Sequence, residues 1–345
     1  MQTYRQLSEF ELGEVVGVGT VGTICRAIEK LSREPFAIKK LHPSVSKDPL
    51  IRARFRREMS ILERLNHPHI VRYHGGGEDD GILFYVMELV DGGTVKSLLE
   101  KKGAFDWPIV VEVTRQICSA LQYAHNNGVI HRDLKPSNLF LTKSGDIKLG
   151  DFGIARDLER SDITTTGMTV GTHAYMAPEQ ITGDRSVSGK ADLYSLGCCL
   201  FEMLVGRTPF QGDNFAQLFE QHLRTEAPHV RDFAGSCPVE LDTMVSRLLN
   251  KNPEDRPFNA RQVQGLMLQL DTDRDSDRSS EEKRPGVDVA AAAAAAVDAR
   301  GRDLLQQEIR EAAAADSKEV SWGRIFVFVA IVLVVIAFAV LSGFK

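Results

Sequence analysis

The chain has 345 residues, of which 43% are hydrophobic and 26% charged, a composition close to the average for globular proteins that excludes a fully disordered or collagen-like chain. The formal net charge of −5 leaves no excess of Lys and Arg to neutralise a phosphate backbone, which argues against a nucleic-acid-binding protein. The five cysteines form no Cys-x-x-Cys pair, so the sequence does not suggest a zinc module or a disulfide scaffold.

Composition divides the chain into three parts. Residues 1–270 contain apolar runs punctuated by Gly and Pro, which indicates a globular region. Residues 271–320 begin with a charged, Ser-containing stretch, continue through an Ala run and end in a polar, helix-prone piece over 303–315. Because no apolar stripe is evident in that piece, we expect 271–320 to be a flexible charged and Ala-rich linker, partly helical toward its end.

The third part is apolar. Ile325–Leu341 contains no polar residue, the next three residues add no charge, and roughly 20 helical residues cross a bilayer core of about 30 Å. Trp322 precedes the run at the level of the headgroups, and Arg324 and Lys345 flank it. The alternative, a buried core helix, would usually carry a polar face, and this run has none. The pattern predicts a transmembrane helix over 325–344.

The first pattern with chemical content is the glycine-rich sequence GVGTVG over residues 17–22. In a dinucleotide-binding fold such a motif leads into a helix, but residues 23–28 alternate in polarity as a strand does. The pattern therefore predicts a strand–turn–strand hairpin. Such a hairpin can fold over a triphosphate, because glycine lets backbone N–H groups approach phosphate oxygens closely; an ordinary hairpin turn is the alternative.

A predicted apolar strand over 36–38 ends in Lys39. A mostly buried lysine is costly unless it is paired. A helical segment predicted over 49–65 contains Glu58, and an ion pair between the two side chains would hold Lys39 against the phosphates of a nucleotide. The alternative for Glu58 is a solvated helix face, since arginines surround it in the sequence.

A second apolar strand is predicted over 84–90 and is followed by Asp-Gly-Gly at 91–93. This segment can serve as a connector between two lobes, with a backbone that hydrogen-bonds a purine ring. Taken alone, the pattern is equally that of a strand and a turn.

The densest polar pattern is HRDLKPSN, residues 131–138, which follows an apolar helix predicted over 117–125. Asp133, Lys135 and Asn138 can direct a carboxylate, an ammonium and an amide into one cleft. That set suits a hydroxyl nucleophile, a γ-phosphate and a divalent cation, although a polar surface loop is the alternative.

Asp151 stands thirteen residues after Asn138, at the end of a strand predicted over 147–149 and before Phe and Gly. An Asp in this position is suited to ligating Mg²⁺, because hard cations prefer carboxylate oxygens.

These motifs, in this order, resemble the signature set of the eukaryotic-type (Hanks-type) protein kinases. The resemblance covers about residues 9–270. It implies an α+β, bilobal protein kinase fold with a small β-rich N-lobe and a large helical C-lobe, followed here by the linker and the predicted C-terminal helix. The resemblance implies nucleotide-binding roles for Gly17, Val18, Gly19, Gly22, Ile24, Ala37, Lys39, Glu58, Met87, Glu88 and Val90.

The resemblance also implies the roles of the polar loop. Asp133 corresponds to the catalytic base, Lys135 to the γ-phosphate contact, and Asn138 and Asp151 to the Mg²⁺ ligands. Further matches are the Ala-Pro-Glu motif ending at Glu179, the buried helix residue Asp192, and Arg256 as the partner of Glu179. The departures from the family pattern, Ile24 and Phe36 where Val is usual, are conservative apolar exchanges.

Lys135 and Thr172 resemble serine/threonine rather than tyrosine kinases, and the sequence around Ala177 resembles bacterial members. The resemblance implies transfer of the γ-phosphate of ATP, with Mg²⁺, to Ser or Thr hydroxyls of protein substrates. It also implies autophosphorylation at Thr164 or Thr166, with the phosphate pairing with Arg132; a flexible polar loop with incidental threonines is the alternative.

The span and the need for ATP together predict a single-pass protein of the cell membrane with a cytoplasmic kinase domain. Because few residues follow the span, we expect no extracytoplasmic sensor domain. Anchoring raises the effective concentration of neighbouring chains, so a homodimer for autophosphorylation in trans is possible. The alternative function is a catalytically weak pseudokinase that acts as a membrane scaffold, which would be favoured by a missing Lys, Asp or Asn, and none is missing.

Overall fold

Five strands form an antiparallel sheet in the order β1-β2-β3-β5-β4. They are β1 (Phe10–Val18), β2 (Gly22–Glu29), β3 (Pro35–Leu41), β4 (Tyr73–Asp79) and β5 (Ile82–Glu88). The computed structural model describes residues 4–19, 22–47, 52, 55, 59, 61–152, 173–184, 186–279 and 301–315, and of 271–279 it describes the backbone alone.

Alternation along the strands gives this sheet two apolar faces. Phe36 and Ile38 of β3 pack with Phe84 and Val86 of β5 in a small core on one face. The neighbouring residues of both strands, among them Ala37 and Met87, point to the other face and join the main core. Lys39 lies two residues after Ala37 and therefore shares the face that meets the rest of the molecule.

The larger lobe is helical. Its helices, preceded by the short α1 (Pro43–Ser46), are α2 (Val95–Lys102), α3 (Trp107–Asn126), α4 (Pro178–Ile181), α5 (Gly189–Val205), α6 (Phe215–Arg224), α7 (Val239–Leu248) and α8 (Ala260–Ser279). Helical backbone is also described at 52, 55, 59, 61 and 62, inside the helix predicted over 49–65. The helix predicted over 117–125 is the second half of the longer α3.

Helix α5 is the centre of this lobe, since residues Ala191–Leu204 are buried on every side of the helix. Its mid-point is Gly197, where an added Cβ would lie 2.8 Å from the Cβ of Leu248. The glycine thus lets α7 approach α5 closely. A helix buried on every side is typical of the interior of a large domain, and α5 also buries the polar residues Asp192, Ser195 and Glu202.

A small hairpin of β6 (Leu139–Leu141) and β7 (Ile147–Leu149) connects the two lobes. Leu149 pairs with Ile70 of the N-terminal lobe through backbone hydrogen bonds. Gly92, after β5, donates to the carbonyl of Leu141 at 2.9 Å. The hairpin therefore lies at the junction of the lobes, and the two-lobed α+β architecture agrees with the sequence-based expectation.

The C-terminal region departs from that expectation in two places. Helix α8 continues to Ser279, nine residues into the predicted linker. Residues 301–315 form a further helix, α9, whose Leu305, Ile309 and Ala312 are buried in the main core. The helical expectation for 303–315 is confirmed, but the inference that this piece lacks an apolar stripe is wrong, because these three small or aliphatic residues recur every three or four positions.

Within the part of the chain that the structure describes, none of the helices has the length and apolar character needed to traverse a bilayer. The predicted span over 325–344 lies outside the described residues.

Candidate active site

The glycine-rich segment joins β1 to β2 as a hairpin, with Gly17 opposite Ile24 and Val18 opposite Thr23. Gly19 donates its N–H to the carbonyl of Gly22 at 2.9 Å. A strand follows the glycines, so the arrangement of a dinucleotide-binding fold, in which a helix follows, does not apply.

The glycines of this hairpin differ in how much space surrounds them. An added Cβ at Gly22 would lie 2.2 Å from the carbonyl oxygen of Lys40, so this position needs glycine to pack against β3. At Gly17 and Gly19 an added Cβ would keep 3.7 Å from the nearest described atom. Their bare backbone leaves room above the cleft for a ligand to approach the N–H groups.

Lys39 and Asp151 form the ion pair that closes the cleft between the lobes. The Nζ atom of Lys39 lies 2.7 Å from Oδ1 of Asp151, and both side chains are about four-fifths buried, with 20% and 24% exposed. The partner predicted for Lys39, Glu58, lies outside the described residues, and that pair stays a prediction. Asp151 has a φ of 51°, in the left-handed region that non-glycine residues rarely occupy.

Strands β3 and β5 and the connector that follows β5 carry the residues predicted to contact the base of a nucleotide. Ala37 pairs with Met87 across the sheet, and both are buried. The Glu88 carboxylate contacts Lys148 Nζ at 2.9 Å, so its side chain is tied to β7 rather than directed to a ligand. Val90 follows at a half-buried position.

The polar loop brings its three predicted catalytic side chains together. Oδ2 of Asp133 lies 3.0 Å from Nζ of Lys135. Nδ2 of Asn138 donates to the same Oδ2 at 3.2 Å and to the backbone carbonyl of Asp133 at 2.8 Å. A short 3-10 helix, Pro136–Asn138, makes this convergence possible, because it turns the chain back so that Asn138 faces Asp133.

Asn138 also lies close to the position of Asp151. The N–H of Gly150 donates to the carbonyl of Asn138 at 3.0 Å. His131 contacts the carbonyl of Gly150 through Nε2 at 2.9 Å, and its ring packs on Phe152 with centroids 4.6 Å apart. Burial lowers the pKa of His131, which keeps this bridging imidazole neutral.

The residues near this junction suit a divalent cation. Asp151 offers a carboxylate and Asn138 an amide oxygen, which are hard oxygen donors of the kind that Mg²⁺ prefers. Lys39 and Lys135 bring two positive charges to the same cleft, so a polyanion would be neutralised from several sides. The donor set therefore fits Mg²⁺ and a phosphate-rich ligand.

Asp192 of α5 fixes the polar loop from below. Its carboxylate accepts the N–H groups of His131 and Arg132, each at 2.8 Å, and contacts Nε2 of His125 at 2.7 Å. Burial acts to raise the pKa of Asp192, but its hydrogen bonds and electrostatic interactions with His125 and His131 outweigh that effect, and the pKa is lowered. The buried carboxylate therefore stays ionised, as the N–H donors require.

A second buried pair supports the same side of the cleft. Arg256 binds Glu179 through two parallel contacts of 2.7 and 2.8 Å, as the resemblance implies. Gln180, the next residue, donates to the carbonyl of Arg132 at 3.0 Å. The segment that carries Thr164, Thr166 and Thr172 lies outside the described residues, so their predicted roles stay predictions.

Residues 10–265, well over half of the chain, match the family described as protein kinase domain. The chain belongs to the protein kinase family. This confirms the resemblance to the protein kinases drawn from the motifs, and the curated relatives that the chain matches are named as serine/threonine-protein kinases.

Two of these kinases illustrate the similarity. The chain is 36% identical over 276 residues to the serine/threonine-protein kinase PknB of Mycobacterium leprae (strain TN), across 78% of this chain and 44% of that protein. It is 38% identical over 260 residues to the serine/threonine-protein kinase PknD of Mycobacterium tuberculosis, across 75% of this chain and 39% of that protein. The chain thus spans less than half the length of these two relatives.

Among solved structures, the chain is similar to a crystal structure of Rad53 1-466 in complex with AMP-PNP. The TM-score is 0.63 at 32% sequence identity, and the match covers 74% of this chain and 64% of that one. The described lobes therefore share their fold with a protein whose structure was determined in complex with AMP-PNP.

Reasoning from the sequence alone missed two residues of this kinase site. The sequence indicates only that His125 lies at the end of an apolar helix, yet its imidazole contacts the carboxylate of Asp192. The sequence indicates no role for Gln180, yet its side chain donates a hydrogen bond to the carbonyl of Arg132. Both act across 48 or more positions in the chain, and a polar residue at the end of an apolar helix is the only local signal for His125.

Proposed function

We propose that this chain is an ATP-dependent protein kinase that phosphorylates Ser and Thr hydroxyls. The observation that carries the proposal is the convergence of Asp133, Lys135 and Asn138 in one loop that is hydrogen-bonded to the residue preceding Asp151. The matched kinases are named as serine/threonine kinases, which supports the choice of acceptor.

The phosphate donor binds between the lobes in this proposal. The adenine contacts Ala37, Met87 and the backbone of the connector, and the phosphates pass beneath the hairpin of Gly17, Gly19 and Gly22. Val18 and Ile24 flank that hairpin and cover the sugar and base. When the nucleotide is bound, the ammonium group of Lys39 moves part of its contact from Asp151 to the phosphate oxygens, because the triphosphate carries more negative charge than one carboxylate.

Asp133 acts on the acceptor. Its carboxylate orients the Ser or Thr hydroxyl and takes its proton as the hydroxyl oxygen bonds to the γ-phosphorus. The bond from that phosphorus to the bridging oxygen breaks, and ADP leaves. Lys135, 3.0 Å from Asp133, neutralises the charge of the transferred group, and positioning with charge neutralisation provides most of the acceleration.

Asp151 and Asn138 would hold Mg²⁺, which supplies positive charge at the phosphates when bound. The Asn138 side chain has a second task, because its amide donates to Asp133 and fixes the orientation of that carboxylate. The pseudokinase alternative is not favoured, because each of the key side chains is present and the described ones are in mutual contact.

The test of this proposal is phosphoryl transfer by the purified chain with labelled ATP, Mg²⁺ and a generic protein acceptor. We expect Asp133→Asn to reduce the rate by about 10²–10³ while the free energy of unfolding stays near that of the wild type. We expect Lys39→Met and Asp151→Asn to reduce the rate by similar factors. In a double variant the rate should fall by far less than the product of the two single-variant factors, because the residues act as one unit. Asp213→Asn, at an exposed position, is the matched control. Full activity of Asp133→Asn would contradict the assigned mechanism.

We further propose that residues 325–344 anchor the kinase in the membrane as a single helix, with the kinase domain in the cytoplasm where ATP is available. The unbroken apolar sequence of Ile325–Leu341 supports this part of the proposal. Anchored neighbours meet often, so phosphorylation of Thr164 or Thr166 occurs between chains, and the phosphate pairs with Arg132.

A further inference from the structure

Helix α9 packs against the large lobe. Leu305 has no exposed surface, and Ile309 and Ala312 are 6% and 8% exposed. At the start of the helix, an added Cβ on Gly301 would lie 2.9 Å from the Cβ of Glu112 in α3. The helix thus approaches α3 with its backbone and buries one continuous apolar face.

Charged contacts hold the C-terminal half of α9. Lys102, the last residue of α2, lies 2.8 Å from a carboxylate oxygen of Glu308 and 2.6 Å from one of Glu311. Hydrogen bonds to these two carboxylates raise the pKa of Lys102. The helix therefore connects to the segment that directly follows the inter-lobe connector.

The N-terminal half of α9 binds the turn between β6 and β7. Gln306 donates from Nε2 to the carbonyl of Ser144 at 2.7 Å. Arg302 donates from Nε to the same carbonyl at 3.3 Å and pairs with the carboxylate of Asp146. An added Cβ on Gly145 would lie 2.9 Å from the Cγ of Gln306, so the turn and the helix are in direct contact.

Helix α3 holds the other side of that turn. Gln116 donates from Nε2 to the carbonyl of Gly145 at 3.3 Å and accepts the N–H of Ile147 at 2.6 Å. The turn therefore lies between α3 and α9 and is hydrogen-bonded to both helices. Its strands lead at one end to Asn138, which precedes β6, and at the other to Asp151, which follows β7.

From this arrangement we propose that α9 is a positioning element for the catalytic cleft, acting through Arg302 and Gln306 on the β6–β7 turn that spaces Asn138 from Asp151. The role rests on the proposed function, in which these two residues hold Mg²⁺. A shift of the turn moves both ligands, and small displacements of reacting groups are costly in rate.

The charge of α9 favours the lobe over a membrane surface as its binding partner. Residues 301–315 contain two basic and three acidic residues, whereas helices that lie on anionic membranes are rich in Lys and Arg. The acidic residues Glu308 and Glu311 face Lys102, so the charges complement the lobe.

The first test compares Gln306→Ala with Gln307→Ala in the full chain, since Gln307 is its exposed neighbour and hydrogen-bonds Glu311 of the same helix rather than the turn. Without the Gln306 contact, we expect amide exchange at 144–147 to accelerate about two- to tenfold. We also expect kcat to fall, and the Mg²⁺ concentration for half-maximal rate to rise, by a similar factor, with the KM for the protein acceptor unchanged. Equal exchange rates in the two variants would overturn the proposal.

The second test uses charge reversal at the contact between α2 and α9. Lys102→Glu releases the C-terminal half of α9 and lowers kcat, and Glu308→Lys with Glu311→Lys in the same chain restores kcat and the exchange protection of 303–312. Failure of the rescue overturns the proposal. The exchange measurement needs no catalysis, so an inactive wild type with normal exchange differences contradicts the proposed function and leaves the positioning contact supported.

Discussion

The carboxylate of Asp192 accepts the backbone N–H of Arg132 at 2.8 Å, across 60 positions of the chain. Arg132 has a φ of 64°, a conformation that costs a non-glycine residue on the order of 1–3 kcal/mol. The fully buried carboxylate thus holds the start of the polar loop in a strained turn just before Asp133.

Asp192→Asn tests this relationship. The amide loses the charge, and its NH₂ group faces the N–H donors of His131 and Arg132 if the oxygen turns away. We expect the free energy of unfolding to fall by about 2–4 kcal/mol and kcat to fall at least about tenfold, because the loop relaxes. Urea unfolding and initial-rate assays measure both, with the exposed Asp213→Asn as the control. Unchanged kcat would show that the loop holds its shape without the carboxylate.

Much of this cleft could be predicted from the sequence because its signals are local. The glycine hairpin, the strand ending in Lys39 and the loop around Asp133 each occupy fewer than ten residues, and their spacing reflects one turn or one strand. Phe36 and Ile38 likewise alternate with Ala37 as a strand with two buried faces requires.

Helix α9 shows what local reasoning cannot supply. Its apolar stripe consists of Leu305, Ile309 and Ala312. Three such residues are too few to stand out in an otherwise polar segment. Its binding surface comes from α2, α3 and the β6–β7 turn, and the Arg302–Asp146 pair joins residues 156 positions apart. Such a docking site exists only after the large lobe has folded, so no pattern within 301–315 reveals it.

The buried pair of Arg256 and Glu179 gives a second prediction. Arg256→Met leaves the carboxylate of Glu179 buried without its partner, so we expect a loss of about 3–5 kcal/mol in the free energy of unfolding. The double variant with Glu179→Met loses clearly less than the sum of the single variants. Arg256→Lys remains destabilised, because an ammonium cannot make the two parallel contacts.

The control for that cycle is the Arg224–Glu220 pair on the surface of α6. Both side chains are more than half exposed, so Arg224→Met changes stability by less than about 1 kcal/mol. Equal losses at the two arginines would show that burial does not set the strength of these pairs.

Protonation of His222 predicts how stability depends on pH. Burial, and secondarily the charge of Lys251, lowers the pKa of this imidazole from 6.5 to about 3. The unfolded chain therefore binds a proton below pH 6.5 that the folded chain does not, and stability falls as pH drops from 6.5 toward 3. The contribution of one such group is about 1.4 kcal/mol per pH unit.

Urea unfolding of the wild type and His222→Gln between pH 7.5 and 5 measures this slope. We expect the variant, which keeps a polar group opposite the hydroxyl of Tyr194, to be less stable at pH 7.5 but to lose less stability on acidification. Parallel curves of unfolding free energy against pH for the two proteins would show that the pKa of His222 is the same in the folded and the unfolded chain.

Autophosphorylation predicts a modified activation segment. Mass spectrometry of the active wild type should find phosphate on Thr164 or Thr166, and the Asp133→Asn chain should lack it. Thr164→Ala with Thr166→Ala should lower kcat roughly tenfold, because a phosphate that pairs with Arg132 orders the segment. Thr225→Ala, an exposed threonine of the large lobe, is the control. A fully active enzyme without phosphate in this segment would contradict the regulatory role.

The predicted anchor gives the last test. Arg310, Lys318 and Arg324 precede the apolar segment, and by the positive-inside rule basic residues on this side agree with the proposed cytoplasmic kinase domain. We expect the full chain to sediment with membranes and to resist both high salt and alkaline carbonate. Leu333→Arg with Val334→Asp adds about 2.5–3.5 kcal/mol per residue to the cost of insertion and should release the protein, as should a chain that ends at Val320. Both variants keep the catalytic residues and α9, so once their activation segments are phosphorylated their activity toward a generic acceptor should equal that of the wild type. At equal low concentration they should autophosphorylate more slowly, because anchoring no longer raises the local concentration of neighbouring chains. Release of the wild type by carbonate would contradict a transmembrane segment.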